Sequence, residues 1–205
     1  MGGNGPDFSI ERKAMRKGAR LVCGIDEAGR GPWAGPVVAA AVVLDPKCIP
    51  HGLNDSKKLS EARREALFEP IMASARVGIG IAEVDRIDRD NILQATLWAM
   101  AQALDQIEGV ALALVDGNRA PALPCPVQTI VEGDAKSLSI AAASIIAKVT
   151  RDRIMVGHDQ AYPGYGFARH KGYGTALHQE ALRRHGLTPL HRTSFAPIAA
   201  LLAAR

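Results

Sequence analysis

Residues 24–36 read GIDEAGRGPWAGP, a stretch that holds four glycines and two prolines. The apolar residues Leu21, Val22 and Ile25 run into the carboxylate pair Asp26-Glu27, and the glycine-rich turn follows. Neighbouring side chains on a strand point to opposite sides, so both carboxylates reach one site only where the backbone turns. The glycines permit that turn. Gly29, Gly31 and Ala34 also match G-x-G-x-x-A, the dinucleotide-binding fingerprint, which requires a helix to open here. Gly35-Pro36 interrupts the segment instead, and the strand-like VVAAAVVL follows at 37–44. Two carboxylates just upstream would repel a phosphate, so the fingerprint is rejected. With a divalent cation the logic reverses, because clustered carboxylates are the ligands that Mg2+ and Mn2+ prefer and a substrate phosphate completes the coordination.

Outward from this segment, further apolar runs of strand length lie at 77–82, 111–115 and 126–131, joining those at 21–25 and 37–44. Asp116 ends the run ALALV and is followed by Gly117-Asn118. Asp134 follows VQTIV through Glu132-Gly133. Taken singly, each reads equally well as a turn residue. Together with Asp26-Glu27 they make three strand-end positions, which, converging on one sheet edge, would build a divalent-metal site. Helices are predicted at 60–75, with Ser60 as N-cap, and from Asp90 or Asn91 to about 107. The strongest helix signal is 138–156, where Leu138, Ala142, Ile145 and Val149 share one side and Ser144, Lys148 and Arg151 another. Residues 162–174 read as a loop, 175–186 as a final helix, and the tail as Pro-punctuated chain with an apolar helix. DRIDRD at 85–90 lacks the Gly and distal Glu of a calcium loop and reads as a loop entering a helix. Residues 1–18 read as a loose arm with a short helix. This succession predicts an α/β protein with a mixed five-stranded sheet flanked by helices and a small C-terminal helical extension. The expected division is an arm (1–18), a core (19–160) and the extension (161–205).

Composition is that of a soluble globular chain: 47% hydrophobic and 22% charged over 205 residues. No apolar run reaches the ~20 residues of a membrane span, and the N-terminus lacks a signal-peptide core. Cys23, Cys48 and Cys125 show no zinc spacing and are expected as buried thiols in a reducing, cytoplasmic compartment. Charge is uneven. Residues 1–150 carry 17 Lys and Arg against 18 Asp and Glu, whereas 151–205 carry 8 against 3 and five of the six histidines. A basic C-terminal quarter fits a polyanion touching one end, and equally a solvated helical face. The histidines have no metal spacing and are assigned to the surface or extension.

GIDEAGRGPWAGPVVAAAVVL (24–44) resembles the signature segment of the type 2 ribonucleases H, the ribonuclease HII family, in its bacterial form. DSKKLS (55–60), LVDGN (114–118), VEGDAKSLSIAAASIIAKVTRDR (131–153) and HKGYGT (170–175) resemble its other blocks in the same order, and the likeness covers roughly residues 20–197. The resemblance implies a ribonuclease H-like sheet and an endonuclease cutting the RNA strand of RNA–DNA hybrids. It also implies cutting 5′ of ribonucleotides embedded in duplex DNA, with 5′-phosphate and 3′-hydroxyl ends, in support of ribonucleotide and RNA primer removal. The family's four carboxylates fall on Asp26, Glu27, Asp116 and Asp134, as ligands of two divalent ions, Mg2+ or Mn2+. Two metals about 3.5–4 Å apart can generate the nucleophile and stabilise the leaving oxygen. The family's Gly-Arg-Gly turn falls on Gly29, Arg30 and Gly31, and its ribose-sensing tyrosine on Tyr173. Lys148, Arg151 and Lys171 are expected to contact substrate phosphates, while Tyr162, Tyr165 and Phe167 are expected to pack the extension. Asp55, Ser56 and Lys57 either line the groove or form a turn. A monomer is expected, and nothing at the tail resembles a sliding-clamp docking peptide. The rivals are the type 3 ribonuclease H branch, which carries an N-terminal substrate-binding domain for which residues 1–18 are too short, and a non-catalytic hybrid-binding module, which loss of a carboxylate would favour.

Overall fold

A computed structural model describes residues 5–203. Five strands, β1 (Val22–Ala28), β2 (Val37–Leu44), β3 (Ala75–Ala82), β4 (Leu112–Asp116) and β5 (Val127–Ile130), form one sheet in the order β3-β2-β1-β4-β5. β1 pairs antiparallel with β2, and β2 with β3; β1 pairs parallel with β4, and β4 with β5. The sheet is therefore mixed, as the sequence predicts.

β2 is buried along its whole length because both faces of the sheet are covered. Its alternation divides the core. Val37, Ala39, Ala41 and Val43 join Cys23 and Ile25 of β1 against α3 (Val84–Leu104). Ala40, Val42 and Leu44 pack against α2 (Glu61–Ser74) and α4 (Leu138–Ala161). The alanines of α4 bring it close to β1, and Gly24 completes the fit: a Cβ there would lie 2.1 Å from the Ser139 carbonyl carbon.

The helix starts follow local chemistry. Ser60 and Ser137 cap α2 and α4 by accepting from Arg63 N and Ile140 N. Asn91, at φ 68°, kinks α3, and its Oδ1 accepts from the amides of Leu93 and Gln94, so it caps the second segment. The chain before it is already helical, which corrects the loop expected at 85–90. α1 (Ser9–Arg16) is not loose either. Its Glu11 is fully buried and accepts from Ser137 Oγ at 2.6 Å and Ser139 N at 2.9 Å. That contact is between residues too far apart for local patterning to reveal. α4 runs to Ala161, beyond the expected end at 156. A short helix, α5 (Phe167–His170), interrupts the stretch expected as loop, and α6 (Ala176–His185) and α7 (Ala196–Ala203) follow. Only Cys23 of the three cysteines is buried; Cys125 is half-buried and Cys48 exposed, because its turn after β2 faces solvent.

The extension docks through Tyr165 and Phe167, which pack with Ala181 against Ala34 and Met155. Both aromatics pack, as the sequence suggests. The segment 33–36 is gripped from two sides: Trp33 N donates to Gly172 O, and Gly35 N to Leu190 O.

Candidate active site

The register of the two parallel strands sets Ile25 beside Val115, so Asp26 and Asp116 come next to each other at their C-terminal ends. The pleat sends Asp26 toward α4 and Glu27 toward α3. Two clefts accordingly meet at this edge. One is lined by Asp26, Glu27, Gly29, Arg30, Gly31 and Tyr173, with Ser56, Lys57, Lys148 and Arg151 completing its wall. The other holds Glu27, Arg30, Asp116, Asn118 and Arg119 beside Leu97 and Met100 of α3. Asp134 is carried by the 3-10 turn Gly133–Ala135 after β5. That turn is tied to β4, since Gly133 N donates to Asp116 Oδ1 at 2.7 Å.

The carboxylates sense one another. Burial, then the charges of Glu27 and Asp116, hold the Asp26 pKa well above the usual carboxylate range. Burial also raises Glu27, opposed by Arg30, whose Nη1 lies 3.3 Å from Glu27 Oε1. Asp134 is raised by burial and by Asp55 and Asp116. Lys57 Nζ stands 4.0 Å from Asp134 Oδ2. Burial works against its charge, but Asp134, Asp26, Asp55 and Asp116 outweigh burial and raise its pKa. The groove reading of 55–57 is thus the one the geometry supports for Ser56 and Lys57.

The chemistry of this donor set fits a hard divalent cation, since four acids share an edge with two partial counter-charges, Arg30 and Lys57. Among the described residues no three His, Cys, Asp or Glu side chains close into a ready-made ligand cage. Mg2+-type sites take only one or two carboxylates each, leaving positions for water and phosphate.

The turn between β1 and β2 is built around two arginines. Gly29, at φ 97°, has no room for a Cβ, which would lie 2.0 Å from Arg151 Nε. Arg151 reaches the cleft wall, yet it is 1% exposed and donates to the carbonyls of Pro36, Lys171 and Ala34. Its fork is thus engaged with the loop, which the expected part as a phosphate contact did not include. Lys148 lines the cleft and pairs with Asp152 at 2.7 Å. Lys171 faces Glu61 at 3.7 Å. Tyr173 is 47% exposed, and its ring lies 3.6 Å from where a Gly31 Cβ would sit. Beneath its turn three histidines gather: His170 stacks on His178 at 4.4 Å, and His178 Nε2 meets His191 Nε2 at 3.0 Å. These three are buried and fall within 161–205, the extension half of the expectation rather than the surface half. Sequence reasoning also missed Arg192, fully buried against the same turn, and Arg119 in the second cleft.

Comparison with known proteins agrees with this arrangement. The family model described as Ribonuclease HII matches residues 23–198. A ribonuclease HII of Azorhizobium caulinodans is 60% identical over 197 residues, covering 96% of this chain and 76% of that protein. One from Magnetococcus marinus is 56% identical over 97% of this chain and 96% of its own. The crystal structure of ribonuclease H2 from Pyrococcus horikoshii superposes with a TM-score of 0.77 at 28% identity, covering 90% of this chain and 98% of that one. The chain belongs to the ribonuclease HII family, metal-dependent endoribonucleases of RNA–DNA hybrids with a ribonuclease H-like fold.

Proposed function

We propose that this chain cuts the RNA strand of RNA–DNA hybrids and the 5′ side of single ribonucleotides in duplex DNA, leaving 5′-phosphate and 3′-hydroxyl ends. The observation that carries the reading is the meeting of Asp26, Glu27, Asp116 and Asp134, from three separate segments, beside a glycine turn overlaid by an exposed tyrosine. On this reading Asp26 and Asp116 would be ligands common to two divalent ions, Mg2+ or Mn2+, and Glu27 and Asp134 would each complete one. When bound, such ions supply an activated water and stabilise the leaving oxygen.

The protein's own part is placement. Asp116 is held by the Gly133 amide and Asp26 by the Glu27 amide at 2.7 Å, so each keeps oxygen lone pairs free to ligate. Arg30 and Lys57 flank the acids and offset their charge toward an incoming phosphate. Gly29–Gly31 lets a strand approach the backbone closely, and Tyr173 presents a phenol and a ring to a ribose, the sugar whose 2′-hydroxyl separates RNA from DNA. The first cleft and the exposed bases around it engage the duplex as a monomer.

The test uses a duplex with one ribonucleotide, incubated with protein and Mg2+ or Mn2+, and maps the cut. Cleavage 5′ of the ribonucleotide is expected, with Asp26→Asn and Asp116→Asn inactive. Melting supplies a second readout. Mn2+ should raise the wild-type Tm and raise that of Asp26→Asn much less, because a shared ligand is lost. Near-wild-type turnover of either variant in saturating Mn2+ would remove that residue from the site.

A further inference from the structure

Arg192 lies on the Pro-punctuated chain after α6, far in sequence from the turn, and is fully buried. Its Nη2 donates to Gly29 O at 2.6 Å, its Nη1 to Arg30 O at 3.0 Å, and its Nε to Gly35 O at 2.9 Å. Further bonds from Nη2 reach Gly35 O and Pro36 O. Arg151 holds the opposite side of the same loop through Ala34 O and Pro36 O. Two buried guanidinium groups thus face one loop, and among the described residues neither pairs with a carboxylate. Their counter-charge is a set of carbonyl dipoles. A planar fork suits such a task where a lysine's point charge does not. Burial pulls the pKa down to about 9 for Arg192 and about 10 for Arg151, which leaves both charged at neutral pH.

The consequence lies across the peptide planes. No peptide bond here is cis, and in a trans peptide the N–H points opposite to the preceding C=O. With the carbonyls of Gly29 and Arg30 drawn toward Arg192, the amides of Arg30 and Gly31 point the other way, where these residues line the first cleft. Neither amide has an acceptor among the described residues. Two adjacent free N–H groups on a glycine turn form a donor pair suited to an oxygen of a sugar or phosphate.

We propose that Arg192 is a positioning residue for substrate: by drawing in the Gly29 and Arg30 carbonyls it aims the Arg30 and Gly31 amides at the ribose-bearing strand. This rests on the reading of the turn as a substrate contact. Arg192 is thereby a link through which docking of the C-terminal chain sets the geometry of the cleft. The segment is itself fastened to α3, since Asp88 accepts from the amides and hydroxyls of Thr193 and Ser194.

The experiment compares wild type, Arg192→Lys and Arg192→Gln on a duplex with one ribonucleotide, with melting curves and binding to an all-DNA duplex of the same sequence. Arg192→Lys keeps the charge but cannot span the carbonyls. It should raise KM for the ribonucleotide duplex about tenfold, the loss expected from one misplaced charge-assisted contact, with all-DNA binding unchanged. Arg192→Gln should lose more. A purely structural role predicts a lower Tm with an unchanged KM in the folded fraction, and that result overturns the proposal. Equal weakening toward both duplexes overturns it as well. If Arg192→Lys does not fold, Asp88→Ala is judged by the same criteria, since freeing the segment should raise KM on the ribonucleotide duplex alone. Failure of the wild type to cut at a ribonucleotide sinks the proposed function itself; a cutting wild type with an indifferent Arg192→Lys sinks only this inference.

Discussion

Tyr173 is large, aromatic and set between two glycines, yet 47% of it is exposed. A ring that served only to fasten the extension would be covered, as Tyr165 and Phe167 are at 6% and 0%. Its backbone, by contrast, is held on both flanks. Its amide donates to His170 O, its carbonyl meets His178 Nδ1 at 3.0 Å, and a Cβ at Gly174 would strike the Trp33 ring. A rigid stem with a bare ring beside Gly31 suits contact with a ligand. Tyr173→Phe keeps the ring and removes one hydrogen bond, so catalytic efficiency on a single-ribonucleotide duplex should fall by about 0.5–1.5 kcal/mol in transition-state terms. Tyr173→Ala removes stacking too and should be much the poorer enzyme. Neither should shift the Tm by more than a few degrees, because the residue is 47% exposed and outside the buried core. Full activity in a folded Tyr173→Ala protein would end the ribose-contact reading. At this scale the sequence was readable wherever a residue ends a strand. Asp116 and Asp134 follow apolar runs and precede turns, and they stand where that pattern puts them. Arg151 was not readable, since helical spacing places it beside Lys148 but says nothing of the loop that closes over it. Arg192 carried no signal at all, because an arginine in a Pro-punctuated segment looks like any solvated cation.

The turn bearing Tyr173 rests on α5, α6 and the following chain through His170, His178 and His191. These come from three elements and have no common spacing, which is why the sequence shows scattered histidines rather than a stack. Burial, then the neighbouring His170, lowers His178 to about 4, and burial lowers His170 and His191 as well. A folded-state pKa below the unfolded value near 6.5 means that the unfolded chain binds more protons in that window. The stabilisation is complete above about 6.5 and is lost as pH falls toward about 4. Wild-type Tm should therefore drop across that range. His178→Gln, which removes the most strongly shifted ring, should show a shallower dependence of Tm on pH. Parallel curves for the two proteins would assign the acid sensitivity to other groups. α3 and α1 show the same limit of local reading. Asn91 announces a cap and the helix after it, but the helical turn before the kink and the Glu11 contact to Ser137 depend on packing that no short window contains.

Across the whole molecule, the positive charge near the site divides into two kinds. Arg151 and Arg192 are buried, with their guanidinium groups donating to backbone carbonyls in the interior. The cations that line the two clefts come from earlier in the chain: Lys57, whose side chain is 86% exposed, Lys148, 27% exposed and paired with Asp152, and Arg119. Duplex affinity should follow the second set. Each phosphate contact releases counterions and contributes about 0.9 to the slope of log affinity against log salt. The combined variant Lys57→Gln, Lys148→Gln, Arg119→Gln should therefore bind every duplex more weakly and lower that slope by about 2–3, with a Tm close to wild type. Arg151→Gln should behave oppositely, with a large fall in Tm and, in the folded protein at lower temperature, an unchanged salt slope. Anisotropy titrations of RNA–DNA and DNA–DNA duplexes over a range of salt, paired with melting curves, separate the two. A reduced slope in folded Arg151→Gln would return that residue to the phosphate-binding surface. A triple variant that lost affinity for the hybrid alone would mean that these cations read the ribose strand rather than the charge common to all duplexes.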